Sequence, residues 1–170
     1  MHKEGEFDID IKHLSKIEGH TDLEVRVKDG KVQYARLKIS ESKRFFTQGV
    51  RGKPALNVAQ LVSRICGTCS IAHLQSCILA VESAMGVVPS EQTVLLRHLT
   101  NDGLMIRDHA MHLYIFCLPD ILNADSVLEL ADRDKSLIEK AFEVKSAGNE
   151  LSKPIAGRSV HAPYPNVGGF

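Results

Sequence analysis

A change of hydrophobic period near residue 42 constrains this chain more than any other feature. Before it, apolar residues alternate with polar ones at Phe7, Ile9 and Ile11 and again at Leu23, Val25 and Val27. A period of two fits a half-buried strand. Asp29-Gly30 follows the second run and marks a two-residue hairpin turn. Val32, Tyr34, Leu37 and Ile39 continue on the far side, with a slip of phase expected at Ala35-Arg36. The first forty residues therefore predict a small antiparallel sheet.

Beyond that point the spacing becomes helical. Pro54 suits a first helical turn, with residues 55–65 behind it. Ile71, Leu74, Ile78, Val81 and Met85 recur at three and four residues, and Gly86 with Pro89 ends that run. Ser90 can cap the next helix, which carries Leu95, Leu96, Leu99, Met105, Ile106 and Leu113 and ends near Leu118-Pro119. Gly103 is expected to weaken its middle. A further helix is expected over residues 134–148, and the Pro- and Gly-rich stretch 154–170 reads as loop. The predicted class is α+β, a small N-terminal antiparallel sheet followed by a mainly helical bundle. Its segments are strands over 1–42, a helical region over 43–153 and a closing loop over 154–170.

Composition removes several function classes. The chain has 170 residues, 44% of them apolar, so it can build a core. Its 21 basic and 21 acidic side chains cancel, which leaves no basic excess for nucleic acid. No stretch reaches the ~18 apolar residues of a membrane span. The charged first ten residues lack the apolar core of a signal peptide, so a cytoplasmic setting is expected. That setting disfavours structural disulfides among Cys66, Cys69, Cys77 and Cys117. Cys77 and Cys117 lie within apolar helical patterns and read as core thiols.

The chemistry centres on the run from Arg64 to His73, Arg-Ile-Cys-Gly-Thr-Cys-Ser-Ile-Ala-His. A Cys-x-x-Cys pair sets two sulfurs on one side of a turn, where Gly67 allows a tight backbone. Helix amides just after Cys69 favour thiolate over thiol. Such a pair is a soft site for nickel, iron or zinc. From the pair alone, metal, redox and structural readings all stay open. No second Cys-x-x-Cys completes a zinc site, and a helical stretch, not a strand, precedes the motif, unlike a thioredoxin-type pair. His73 lies four residues after Cys69 on one helical face. His109 and His112 are three apart and read as a buried helix contact more readily than as ligands.

The surroundings narrow the choice. Arg-Ile-Cys-Gly-x-Cys-x-x-x-His resembles the N-terminal cysteine motif of nickel–iron hydrogenase large subunits. Lys16-Ile17-Glu18-Gly19-His20 resembles that family's Arg-(Ile/Val)-Glu-Gly block, and Arg44-Phe45-Phe46 resembles the lead into its cysteine helix. Asp108-His109-Ala110-Met111-His112-Leu113-Tyr114 and Leu118-Pro119-Asp120 resemble its helix of paired histidines. Gly157-Arg158-Ser159-Val160-His161 and Val167-Gly168-Gly169-Phe170 resemble its Gly-Arg-x-(Ile/Val)-His…Gly-Gly segment. The likeness runs in order along essentially the whole chain and points to the cytosolic, multi-subunit, nucleotide- or coenzyme-linked types.

The resemblance implies that Cys66 is a terminal nickel thiolate and Cys69 a bridge between nickel and iron. It implies carbonyl and cyanide on the iron, a proton-relay role for Glu18, and supporting contacts from His73 and Arg64. Maturation proteins and an iron–sulfur small subunit would be the partners. Two departures stand out. Thr47 occupies the place of a glutamate that in many relatives helps hold a second, structural metal. The family's C-terminal Asp-Pro-Cys-x-x-Cys pair is missing, since no cysteine follows Cys117. The chain is therefore expected to be a front portion or to need a separately encoded counterpart, and to be inactive alone. The alternatives are a metal-free relative in a membrane or quinone complex, a remnant, or an assembly and binding module.

Overall fold

Three antiparallel strands open the chain, in the order β1-β2-β3. They span Phe7–Ile11 (β1), Thr21–Lys28 (β2) and Lys31–Ile39 (β3). The computed structural model describes residues 5–15, 17–41 and 43–170. Lys16, which opens the Glu18 block, lies outside the described residues. Asp29 and Gly30 both take positive φ, 51° and 69°, as a tight hairpin turn between twisted strands requires. Phe7 pairs with Val27, Ile9 with Val25 and Ile11 with Leu23, while Leu23 also faces Leu37 and Val25 faces Ala35. The register shifts between Arg26 and Val27, which pair with Tyr34 and Val32 and leave Gln33 as the extra residue. The slip expected at Ala35-Arg36 thus falls two residues earlier. It moves Tyr34 off the apolar face to stand opposite Arg26, whose guanidinium lies 5.4 Å from the ring centroid.

The chain divides into two compact units, residues 1–49 and 50–170. A helix over Lys43–Gly49 (α1) belongs to the first. The second contains α2 (Ala55–Val62), a 3-10 turn over Ser63–Ile65, α3 (Ser70–Met85) and α4 (Glu91–Met111). A π-helical stretch over His112–Cys117 leads into α5 (Leu118–Ile121), α6 (Val127–Arg133) and α7 (Lys135–Ala156). The ends follow sequence logic. Gly86 closes α3 in the left-handed region at φ 67°. Ser90 Oγ accepts the Thr93 amide at 3.2 Å to start α4. Asp134 caps α7 through the Leu137 amide at 3.2 Å. The last helix runs past Gly148 to Ala156, with Pro154 inside its final turns, and stops at Gly157 with φ 84°.

The core of the second unit gathers Ala59 of α2, Ile71, Leu74 and Ile78 of α3, Leu104 of α4, and Ala156 and Ala162. Cys77 packs against it, and burial raises its thiol pKa. Cys117 is only half-buried and sits 3.4 Å from His112 Nδ1. It is not a core thiol, and His109 and His112 are exposed. The apolar stripe read along α4 also turns outward. Leu95 is 59% exposed, and Met105, Ile106 and Leu113 lie open as well. The buried face carries Thr93, Arg97, Thr100, Gly103, Leu104, Arg107 and Ala110. Gly103 does not weaken the helix at random. A Cβ there would sit 2.8 Å from the Gly148 carbonyl oxygen and 2.2 Å from Ser152 Oγ, so its bareness lets α4 and α7 cross closely. Among the described residues no helix is long and apolar enough to cross a membrane.

Candidate metal centre

The cysteine loop forms where α2 tightens into its 3-10 turn and the backbone then extends. Cys66 takes φ −146° and ψ 139°, which ends the turn. Cys69 stands at the N-cap of α3. The amide of Cys69 donates to Cys66 Sγ at 3.3 Å, and that of Ser70 to the Gly67 carbonyl at 3.4 Å. Thr68 Oγ1 lies 3.2 Å from the same Cys66 sulfur. Cys66 is 7% exposed and Cys69 half-buried. The loop is short and partly buried, and one sulfur lies against a backbone amide and a hydroxyl, features compatible with a soft metal ligand. Gly67 carries no positive φ, and a Cβ there would meet nothing within 4 Å. The glycine is thus not demanded by this chain's own atoms.

A side chain from α4 fixes the loop from behind. Arg107 is buried, and its guanidinium donates to the carbonyls of Thr68 and Ser159. Its Nε donates to Asp108 Oδ1 at 3.1 Å. The segment after α7 completes the frame. The His161 amide donates to Ser70 Oγ at 3.0 Å, and Gln60 Nε2 donates to the Ala162 carbonyl at 3.2 Å. His161 Nδ1 lies 3.0 Å from the Ser63 carbonyl. Because that oxygen only accepts, the proton sits on Nδ1. Burial, then the charges of Arg64 and Arg158, push the His161 pKa below its usual value, with the Ser63 contact opposing. The ring is therefore neutral near pH 7 and serves as a donor.

The expected site residues separate into two groups. Cys66, Cys69 and His73 share one segment, and His73 is half-buried one turn into α3 with its amide on the Cys69 carbonyl at 3.2 Å. Arg64 is exposed beside His161. Glu18 lies in the first unit, exposed, in a bend between β1 and β2. Thr47 Oγ1 donates to the Arg44 carbonyl at 3.1 Å within α1. No cluster of three or more His, Cys, Asp or Glu side chains suited to a metal occurs among the described residues. The donors present fit two of a soft metal's ligands.

Sequence reasoning passed over Arg107, and named Thr68, Ser70, Ser159 and His161 only inside longer blocks. A signal for Arg107 exists in the recurrence of Arg97, Thr100, Gly103 and Arg107 along one face of α4. A charged residue in that row must find buried partners, and carbonyls facing it supply them.

Residues 44–154 match the nickel-dependent hydrogenase family. The alpha chain of sulfhydrogenase 1 from Pyrococcus furiosus is 35% identical over 162 residues, covering 95% of this chain and 38% of that protein. The large subunit of the periplasmic [NiFeSe] hydrogenase from Desulfomicrobium baculatum is 29% identical over 189 residues, covering 98% and 37%. The crystal structure of an NAD+-reducing [NiFe]-hydrogenase in the H2-reduced state superposes with a TM-score of 0.80 at 27% identity, covering 98% and 39%. The chain thus spans about two fifths of the length of the relatives it matches.

Proposed function

From the premise that this chain belongs to the nickel-dependent hydrogenase family, we propose that it supplies one half of a nickel–iron centre for the reversible oxidation of dihydrogen. The observation that carries this reading is the Cys66–Cys69 loop. It is half-enclosed, hydrogen-bonded at sulfur and locked by Arg107. In this reading Cys66 would be a terminal thiolate on nickel, and Cys69 would be the thiolate shared by nickel and iron. Two further thiolates come from sequence beyond these residues or from a second polypeptide. The metal pair, when bound, supplies a soft Lewis-acid centre at which dihydrogen is polarised and its two electrons are taken up.

The chain's own residues bind and orient. The Cys69 amide and the Thr68 hydroxyl both lie against the Cys66 sulfur and fix its position. Arg107 and the His161 segment keep the loop from spreading. Glu18 is the proposed proton relay, and His73 and Arg64 are proposed supports of the sulfur site. Carbonyl and cyanide on iron, an iron–sulfur small subunit that removes electrons, and maturation proteins belong to the same reading. So does a cytoplasmic setting, where thiols stay reduced.

The test uses the protein assembled with its partner subunits. Dihydrogen-dependent reduction of a dye and bound nickel should both fall to background in Cys66→Ser. Retention of nickel and activity in that variant would overturn the assignment. Absence of nickel from the wild-type assembly would leave a binding or assembly module.

A further inference from the structure

We propose that Thr68 is a positioning residue that tunes the Cys66 sulfur as a metal ligand, its hydroxyl donating to the thiolate. The inference rests on Cys66 being a thiolate ligand and deepens that assignment. Thr68 Oγ1 is 3.2 Å from Cys66 Sγ, and the Cys69 amide at 3.3 Å is a second donor on the same sulfur. Burial of Cys66 keeps water from replacing either contact.

A hydroxyl suits this place because it can reverse its role. While the sulfur holds its proton, S–H donates to Oγ1. When a metal takes the proton's place, the sulfur has only lone pairs, and the one direction left is O–H to S. The contact survives both states without movement of the backbone. Thr68 is also fixed independently of its side chain, since its carbonyl accepts from buried Arg107. That arginine is tied in turn to Ser159 and Asp108. The hydroxyl is therefore held at the sulfur by an anchor 39 residues away in sequence. Hydrogen bonds to a ligating sulfur draw off electron density, weaken its donation to the metal and set the potential of the site. Valine has nearly the same shape and no donor, so it isolates the effect.

The test takes this chain with one equivalent of Hg2+, a soft ion for which two thiolates complete a coordination shell. The readout is the sulfur-to-metal charge-transfer band, taken as the difference from Cys66→Ser. In Thr68→Val the band should move to longer wavelength, because an unsupported thiolate gives up its electron more readily. Thr68→Ala should move it the same way, which covers the case of valine disturbing the loop. Thr68→Ser should keep the wild-type position. A band unmoved in both Val and Ala variants, or moved equally by Ser, overturns the inference and leaves the cysteine pair intact. No Cys66-dependent band in the wild type overturns the pair itself, and the inference with it.

Discussion

The sheet of β1–β3 and the α4–α7 helix pair treat apolar residues in opposite ways. In the sheet, alternation sets Phe7, Ile9, Leu37 and Ile39 on one face, and that face stays open, with Phe7 at 49% and Leu37 at 57% exposure. In the helix pair, the contact is made by Gly103, Gly148, Thr100 and Ser152, with the buried cation Arg107 beside it. Periodicity therefore locates faces and does not say which face is covered. Apolar area stabilises only when water leaves it. Bare backbone and satisfied ions can hold two helices together where Leu and Ile do not.

The sharpest way to break this contrast lies beside the helix pair, at Glu82. It is buried on α3 in register with Ile71, Leu74 and Ile78. Arg97 grips it through both nitrogens, at 2.9 and 2.7 Å. The Gly168 amide donates to the same carboxylate at 2.7 Å, and Arg97 also donates to the carbonyls of Asn166 and Gly169. Glu82→Ala leaves a buried guanidinium without its counter-ion, and urea unfolding should report a loss of about 3–5 kcal/mol. An unchanged midpoint would show the pair to be dispensable.

Next in size is the close crossing. A Cβ at Gly148 would lie 2.6 Å from the Gly103 carbonyl oxygen and 2.7 Å from the Arg107 nitrogen, both backbone atoms that cannot swing away. Gly148→Ala should cost about 1–3 kcal/mol, read by thermal unfolding. It should also loosen the cysteine loop through Arg107, read as faster alkylation of Cys66.

Acid should act on the helical unit before it acts on the sheet's exposed face. The Arg97 hydrogen bond, ahead of opposing burial, holds the Glu82 carboxyl below its ordinary 4.5. A depressed carboxyl gives stability that is full above the unfolded value and lost as pH falls through the folded one. His161 is depressed from 6.5, mainly by burial, so its contribution follows the same sign and fades first, below about that pH. A two-step fall in unfolding midpoint on acidification is expected. Glu82→Gln should remove the lower step, as urea titrations at several pH values would show.

The smallest effect sharpens the comparison from the other side. Val32→Thr keeps β-branching and size, Leu37→Thr adds β-branching at a smaller size, and on an open face each should change stability by no more than about 0.5 kcal/mol. A larger loss in this chain would mean that the face is covered in solution.

Much of the local architecture was legible. The hairpin followed from Asp29-Gly30, the stop of α3 from Gly86, and the start of α4 from Ser90, because each rule acts within a few residues. The turn that carries Cys66 and Cys69 was legible for the same reason, since its hydrogen bonds close within four residues. The bulge position was misplaced because a strand pattern does not show which partner residue absorbs the slip. The face of α4 was misread because, Asp108 aside, Arg97 and Arg107 find their partners 15 to 72 residues away, and a polar residue with such partners looks in sequence like a surface one.

By itself the sequence determined the hairpin, the main helices with the Gly86 and Ser90 ends, and the short loop between the two cysteines, since these rest on local backbone preference. Only the tertiary structure decided that Arg107 and His161 brace that loop and that glycines join α4 to α7. Those facts depend on which distant carbonyls and bare backbones meet, and burial makes a polar group's partner a matter of three-dimensional placement.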